Sequence, residues 1–290
     1  MSMEIREKAY AKINISLDVT GKRPDGYHEM VMPMQTVSLG DELTLRLEGE
    51  GIRASSNLRY VPGDERNLAV RAARRYLEAV GDRAQGVQIE LKKSIPVGAG
   101  LGGGSADAAA VLRALDRAYD GRLGRERLCE LAQEIGSDVV FCLLGGTMLA
   151  TGRGEQLREL PPLPDCRLLI VKPGFSISTP ELFQKLDAAP VRIHPDTEGL
   201  LSALENGDLR GLCRRMYNVF EDVDDRRMRT IRQIKGALLD AGALGAVMTG
   251  TGSAVFGVFE VSQAVEDACE KLKREYGFAC VAETVGRRME

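Results

Sequence analysis

Histidine is scarce in this 290-residue chain, which has only His28 and His194 and no H-E-x-x-H pattern, so zinc hydrolysis lacks its usual ligands. A G-x-S-x-G run is also missing, and with it the nucleophile elbow of a serine triad. There is no basic surplus: 39 Lys plus Arg stand against 42 Asp plus Glu, a formal charge of −3. General nucleic-acid or anionic-membrane binding therefore has no electrostatic footprint, and any anionic ligand must be held by a local pocket. The six cysteines include no C-x-x-C pair and several sit on apolar faces, which predicts reduced core thiols. Long apolar runs are absent as well. The longest is VVFCLL, Val139 to Leu144, and the start MSMEIREKAYAKINIS carries acidic residues and no apolar signal region. The expectation is a soluble, unexported, cytoplasmic protein.

What remains is a globular composition, 44% hydrophobic and 28% charged, in a chain long enough for roughly two domains. Ile13, Ile15, Leu17 and Val19 alternate with Lys12, Asn14, Ser16 and Asp18, the period of a strand with one buried and one polar face. MVMPMQTVSL and ELTLRL read as a hairpin around Gly40-Asp41, with Pro33 placing its strand near an edge or bulge. Asn67 is a candidate cap for a helix whose stripe runs Ala69, Ala73, Tyr76, Leu77, Val80, and Val87, Ile89 and Leu91 then alternate as a strand. A helix is predicted from Ser105 to about Tyr119. The next carries Leu128, Leu131, Ala132 and Ile135 and stops at Gly136, read as a left-handed cap. A hairpin around TGRGE closes the first lobe, and Pro161, Pro162 and Pro164 mark the boundary. The second lobe reads as strand LLIV, a helix from Thr179-Pro180-Glu181, and polar-capped helices including one from Asp224 to Ala241. It ends with strand GAVMTG, strand AVFGVF, a helix from Gln263 to Tyr276 and strand FACVAETV, an antiparallel sheet with helices on one face.

The strongest chemical signal is PVGAGLGGGSADAAA from Pro96. Glycines at 98, 100, 102, 103 and 104 let consecutive N–H groups curl around an anion, and the helix near Ser105 adds its positive end. The loop reads as a phosphate cradle, with a flexible glycine turn as the plainer alternative. Gly98, Gly100 and Gly103 satisfy G-x-G-x-x-G, but a second helix occupies the place of the strand a dinucleotide fold requires. There is no G-K-[ST] for a Walker A loop, and no H-R-D or D-F-G of a protein kinase. Phosphoryl transfer fits what is left, because it asks for positioning, charge neutralisation and one carboxylate to take a hydroxyl proton. Asp138, after a helix stop, is a candidate base or equally an N-cap, and Lys12 reads by default as a solvated strand lysine. The second glycine cluster, MTGTGSAVFG from Met248, reads as a plain hairpin turn whose Gly250 and Gly252 could admit a ligand.

AKIN at Ala11, RPDGYHE at Arg23, QTVSLGD at Gln35, the glycine loop, IGSDVVF at Ile135 and ATGRGE at Ala150 together resemble the GHMP kinase superfamily, in matching order across nearly the whole chain. RPDGYHE and GSD are the more specific signatures. The resemblance implies an α+β, two-lobed fold, with a ribosomal-S5-like N-terminal domain over 1–160 and a ferredoxin-like α+β C-terminal domain over 161–290. It implies an ATP-dependent small-molecule kinase of the non-mevalonate isoprenoid pathway, using Mg2+, as a monomer or homodimer. The implied acceptor is the 2-hydroxyl of a cytidine diphosphate-linked methylerythritol. A kinase of another small alcohol, such as mevalonate or homoserine, and a nucleotide-binding relative without catalysis are the alternatives.

By the same resemblance Lys12 and Asp138 are catalytic. Asn14 orients the substrate, Tyr27, His28 and Phe183 form a cytosine pocket, and Thr179 contacts the diphosphate. ATP is assigned to Asn67 and to Pro96, Val97, Gly98, Ala99, Gly100, Leu101, Gly102, Gly103, Gly104, Ser105 and Ala106, with Ser105 also the metal candidate. Val140 stands where the family usually has proline.

Overall fold

One strand of twenty residues, β3 (His28–Leu47), forms the spine of the first lobe. The computed structural model describes residues 3–189, 191–260 and 264–289. β1 (Met3–Asn14) and β2 (Asp18–Lys22) follow each other along β3, both antiparallel to it. β5 (Val87–Lys92) and β6 (Thr147–Thr151) pair with the opposite edge of β3, β4 (Ile52–Ser56) adds parallel to β5, and β7 (Gln156–Glu159) closes the TGRGE hairpin on β6.

The hairpin expected at Gly40-Asp41 does not form. Gly40 instead pairs with Tyr10 of β1 beside a bulge in β3 itself, where an added Cβ would stand 2.8 Å from the Ala9 carbonyl oxygen. The glycine thus marks a close approach of two backbones, and Asp41 continues the strand fully buried. Pro33 likewise sits inside β3 rather than at an edge. It pairs with Leu149 of β6 while its other flank meets the gap between β1 and β2, where its carbonyl accepts the Ile15 N–H at 2.7 Å. Its missing N–H falls where the neighbouring strand changes.

α1 (Leu68–Val80) starts at Asn67, whose side chain accepts the Ala69 N–H, and it buries Ala69, Ala73, Tyr76, Leu77 and Val80 as the spacing predicts. α2 (Gly103–Ala118) packs on α1, β1 and the short helix α4 (Ser137–Leu144), which follows α3 (Gly124–Ile135). Its alanines at 106, 108, 109, 110 and 114 are all buried and leave the short distances such packing needs. Gly136 is not a left-handed cap: its φ of 172° is extended backbone, and it serves as N-cap of α4. Asp138 therefore lies in the first turn of α4 rather than capping it.

In the second lobe β8 (Arg167–Lys172), β9 (Gly245–Met248), β10 (Val255–Phe259) and β11 (Phe278–Ala282) form an antiparallel sheet in the order β11-β8-β10-β9. α5 (Thr179–Asp187) begins where predicted. α6 (Thr197–Glu205) and α7 (Leu209–Cys213) are capped by Asp196 and Asp208. The helix expected from Asp224 starts later, as α8 (Met228–Asp240), because the Asp225 carboxylate binds Arg227 and Lys185 and its carbonyl accepts the Met228 N–H. α9 (Ala264–Tyr276) matches its prediction, although Gln263 lies outside the described residues.

The chain then returns to the first lobe, where Val285 N–H donates to Thr36 and Arg288 N–H to Leu144. Leu17 exchanges two backbone bonds with Tyr217 and Val219. All six cysteines are free, with Cys142, Cys166 and Cys213 buried. Among the described residues no helix is long and apolar enough to cross a membrane.

Candidate active site

Where β3 bulges opposite Ala11, the Lys12 N–H donates to Leu101 of the glycine loop at 3.0 Å. Glycine is required in that loop for two distinct reasons. An added Cβ at Gly100 (φ 77°) would lie 2.2 Å from the Thr249 carbonyl oxygen, and one at Gly102 (φ 69°) would lie 2.9 Å from the Lys12 side chain. Gly102 caps α2 with no side-chain hydrogen bond, so the first N–H groups of that helix stay open toward a neighbouring cavity of about 260 Å³. Residues 95–105, Leu68 and Lys93 line it. The loop is thus a packed turn with a defined backbone at a helix N-terminus rather than a floppy one.

Lys12 is not a solvated lysine. The face it shares with Asn14, Ser16 and Asp18 is buried between the lobes, and Lys12 itself is 5% exposed. Its Nζ donates to Asn14 Oδ1 at 2.8 Å and stands 3.4 Å from Asp138 Oδ2. Asp138 is a third exposed, in the first turn of α4 where the helix dipole favours a carboxylate. Asn14 is held in turn, its Nδ2 on Met32 Sδ and its Oδ1 near Thr249 Oγ1.

A cleft of about 240 Å³ joins these groups to the second lobe. Lys12, Asn14, Asp138, Thr179, Phe183 and glycines 98, 100 and 102 line it together with Arg153, Gly250, Thr251 and Gly252. Thr179 Oγ1 and Thr251 Oγ1 are hydrogen-bonded at 2.8 Å. The second glycine cluster, a hairpin turn by sequence, joins β9 to β10 and lies against the first loop, with Ala254 N–H donating to the Ala99 carbonyl at 3.0 Å.

His28 stacks on Phe183 with ring centroids 4.6 Å apart and 27° between planes, and Phe183 meets Phe220 edge-on. His28 Nε2 lies 2.7 Å from Asp187 Oδ1. The Lys22 ammonium, and His28 after it, hold the Asp187 carboxyl below its usual range. Tyr27 is exposed beside them, covered by the Arg153 guanidinium 4.7 Å from its ring centroid.

Asn67 is occupied differently: its Nδ2 donates to Pro62 and its Oδ1 caps α1, while the next residue, Leu68, lines the cavity beside the glycine loop. Ser105 borders the same cavity. Among the described residues no group of three or more acidic, histidine or cysteine side chains could cage a metal ion. A hydroxyl such as that of Ser105 is an oxygen donor that a hard cation accepts beside phosphate oxygens and water.

Arg153, Thr249 and Thr251 were not singled out from the sequence. Arg153 was legible as part of ATGRGE. The two threonines became visible only when the β9–β10 turn was seen to reach the first lobe.

A profile for the GHMP kinases N terminal domain matches residues 67–146, and one for the GHMP kinases C terminal domain matches 200–277. The fold and these matches define a small-molecule kinase of the GHMP class, an ATP-using group. The chain is 46% identical over 265 residues to 4-diphosphocytidyl-2-C-methyl-D-erythritol kinase of Bacillus pumilus, covering 91% of each chain. It is 40% identical to that of Clostridium tetani, covering 96% of this chain and 99% of the relative. A crystal structure of 4-(cytidine 5'-diphospho)-2C-methyl-D-erythritol kinase superposes with a TM-score of 0.81 at 36% identity, covering 97% of this chain and all of that one. The chain belongs to the 4-diphosphocytidyl-2-C-methyl-D-erythritol kinase family.

Proposed function

We propose that the protein transfers the γ-phosphoryl group of ATP to the 2-hydroxyl of 4-diphosphocytidyl-2-C-methyl-D-erythritol. The observation that carries this reading is the Lys12–Asp138 pair, facing a cleft that runs from the glycine loop to Thr179 and Phe183. In this reading Asp138 accepts the proton as the substrate oxygen attacks phosphorus. The new P–O bond forms while the bond to the β-phosphate oxygen breaks, and ADP leaves. Lys12 holds the carboxylate in place and offsets charge on the transferring group, and Asn14 orients the hydroxyl. The cytidine base sits among Tyr27, His28 and Phe183, the diphosphate near Thr179, and the adenine end of ATP near Asn67 and Leu68. Residues 96–106 cradle the ATP phosphates. Mg2+, when bound, neutralises phosphate charge, and Ser105 is the residue to hold it. Six free thiols and nucleotide substrates fit a cytoplasmic setting.

Phosphorus NMR with ATP and the cytidyl substrate tests this: a new phosphomonoester resonance should grow as ADP appears. Phosphorylation of homoserine or mevalonate in preference, or ATP binding with no acceptor phosphorylated, would replace this reading with the corresponding alternative.

A further inference from the structure

α4 carries Asp138 in its first turn and ends at Leu144, about 9 Å further along the helix axis. What holds that far end comes from other parts of the chain. The Arg113 guanidinium of α2 donates to the Cys142 carbonyl at 2.9 Å, and the Arg288 N–H donates to the Leu144 carbonyl at 2.7 Å. Both satisfy carbonyls that a helix leaves open at its negative end.

The two arginines meet on one carboxylate. Glu7 of β1, 6% exposed, accepts Arg113 Nε at 3.2 Å and Arg288 Nη2 at 3.0 Å on Oε1, and Arg117 Nη2 at 2.8 Å on Oε2. The Arg288 guanidinium also lies over the Tyr10 ring, 4.8 Å from its centroid. An added Cβ at Gly145, the residue that caps α4, would stand 2.7 Å from Arg288 Cγ, so this side chain packs directly on the helix end. Arg288 belongs to the segment after β11, which leaves the second lobe and fills the edge of β3 between its pairings with β6 and β5. There Ser38 N–H donates to Glu283 and Val285 N–H to Thr36, each at 2.8 Å. The helix that bears the proposed base is thus clamped by a segment from the opposite lobe.

We propose that Arg288 is a positioning residue for phosphoryl transfer: docked on Glu7, it seats residues 283–288 against the end of α4 and fixes where that helix sets Asp138 beside Lys12. The inference rests on reading Asp138 as the proton acceptor. α4 is only about two turns long, so slack at Leu144 reaches its first turn, where Asp138 Oδ2 stands 3.4 Å from Lys12 Nζ. A reacting group displaced by about 1 Å loses up to ~10²-fold in rate. Arg288 lines neither the cleft nor the cavity beside the glycine loop, so its loss spares binding.

The test is a double-mutant cycle in kcat on the whole chain, with Arg288→Met, Asp138→Asn and the two combined. Arg288→Met should lower kcat by roughly 10- to 100-fold with KM for ATP and for the cytidyl substrate within about threefold, and Arg288→Lys should regain part of the loss. In the Asp138→Asn background the same change should cost less than about twofold, because no base is left to place. An equal loss in both backgrounds, or a rise in KM in place of a fall in kcat, overturns the inference alone. An Asp138→Asn variant within about tenfold of the wild type overturns the proton-acceptor reading and the inference with it. Hydrogen exchange on the wild type gives a reading independent of any variant's folding. The Arg288 N–H and the Gly145 N–H, which closes α4 on the Phe141 carbonyl, should open together, with protection within about tenfold of each other. An Arg288 amide that exchanges freely while that of Gly145 stays protected overturns the proposal.

Discussion

Thr249 of the second lobe holds Asn14 of the first by two contacts: its Oγ1 accepts the Asn14 backbone N–H at 3.0 Å and lies 3.3 Å from Asn14 Oδ1. That Oδ1 also takes the Lys12 ammonium. The position of the lysine is therefore set by a hydroxyl on the opposite side of the cleft. Thr249→Val keeps the shape and removes this tie, and kcat should fall about tenfold, the worth of one hydrogen bond to a charged network, while ATP affinity stays within about threefold. Steady-state kinetics beside calorimetry reads both quantities.

Asp138→Asn keeps the volume of the side chain and removes the proton acceptor. Turnover should drop by roughly 10²–10⁴ with ATP binding intact. A variant within tenfold of the wild type in a coupled ADP-release assay would take Asp138 out of the proposed chemistry.

Phe183 is stacked on His28 and braced by Phe220, so Phe183→Ala should act on the cytidyl substrate alone. Losing one stacking face costs about 1–3 kcal/mol, which would appear as a rise in KM for that substrate and an unchanged KM for ATP. Equal rises for both substrates would point to a collapsed cleft instead.

Asp225 gives a pH prediction with a definite sign. Its side chain is 1% exposed, and Arg227 followed by Lys185 holds the carboxyl well below its usual range. A folded-state value below the unfolded one stabilises the protein fully above about pH 4, and this contribution is lost as pH falls further. Asp225→Asn should thus lower stability at pH 7 by about 3–5 kcal/mol, with the gap to wild type narrowing by pH 3. Urea unfolding at the two pH values measures it.

Much of the fold was readable because helix spacing and caps are local. Asn67, the alanine stripe of α2 and the Thr179-Pro180 start of α5 each act within a turn of themselves. The failures share one cause, which is that the deciding partner is distant in sequence. Gly40 looked like a turn because nothing nearby reveals the Ala9 carbonyl pressed against it. Asp224 looked like the start of a helix because the partners that hold Asp225 ahead of it include Lys185, forty residues away. In the site, Asp138 was a candidate base from its place after a helix stop, whereas Lys12 was named through family likeness, since a buried lysine and a solvated one look identical in a strand pattern. The buried ion pairs of Lys93 with Asp41 and Asp107 gave no signal, because the three residues come from three separate segments.

The unbroken run of β3 from His28 to Leu47 has a mechanical consequence. His28, at the proposed base pocket, and Asp41, under the glycine loop, are carried by the same length of pleated backbone, which works as a ruler between the two ends of the proposed reaction. Adding one residue between them would reverse which side of the sheet each later side chain meets, turning Asp41 away from Lys93. A chain altered in this way could keep both pockets and still fail to bring their contents together.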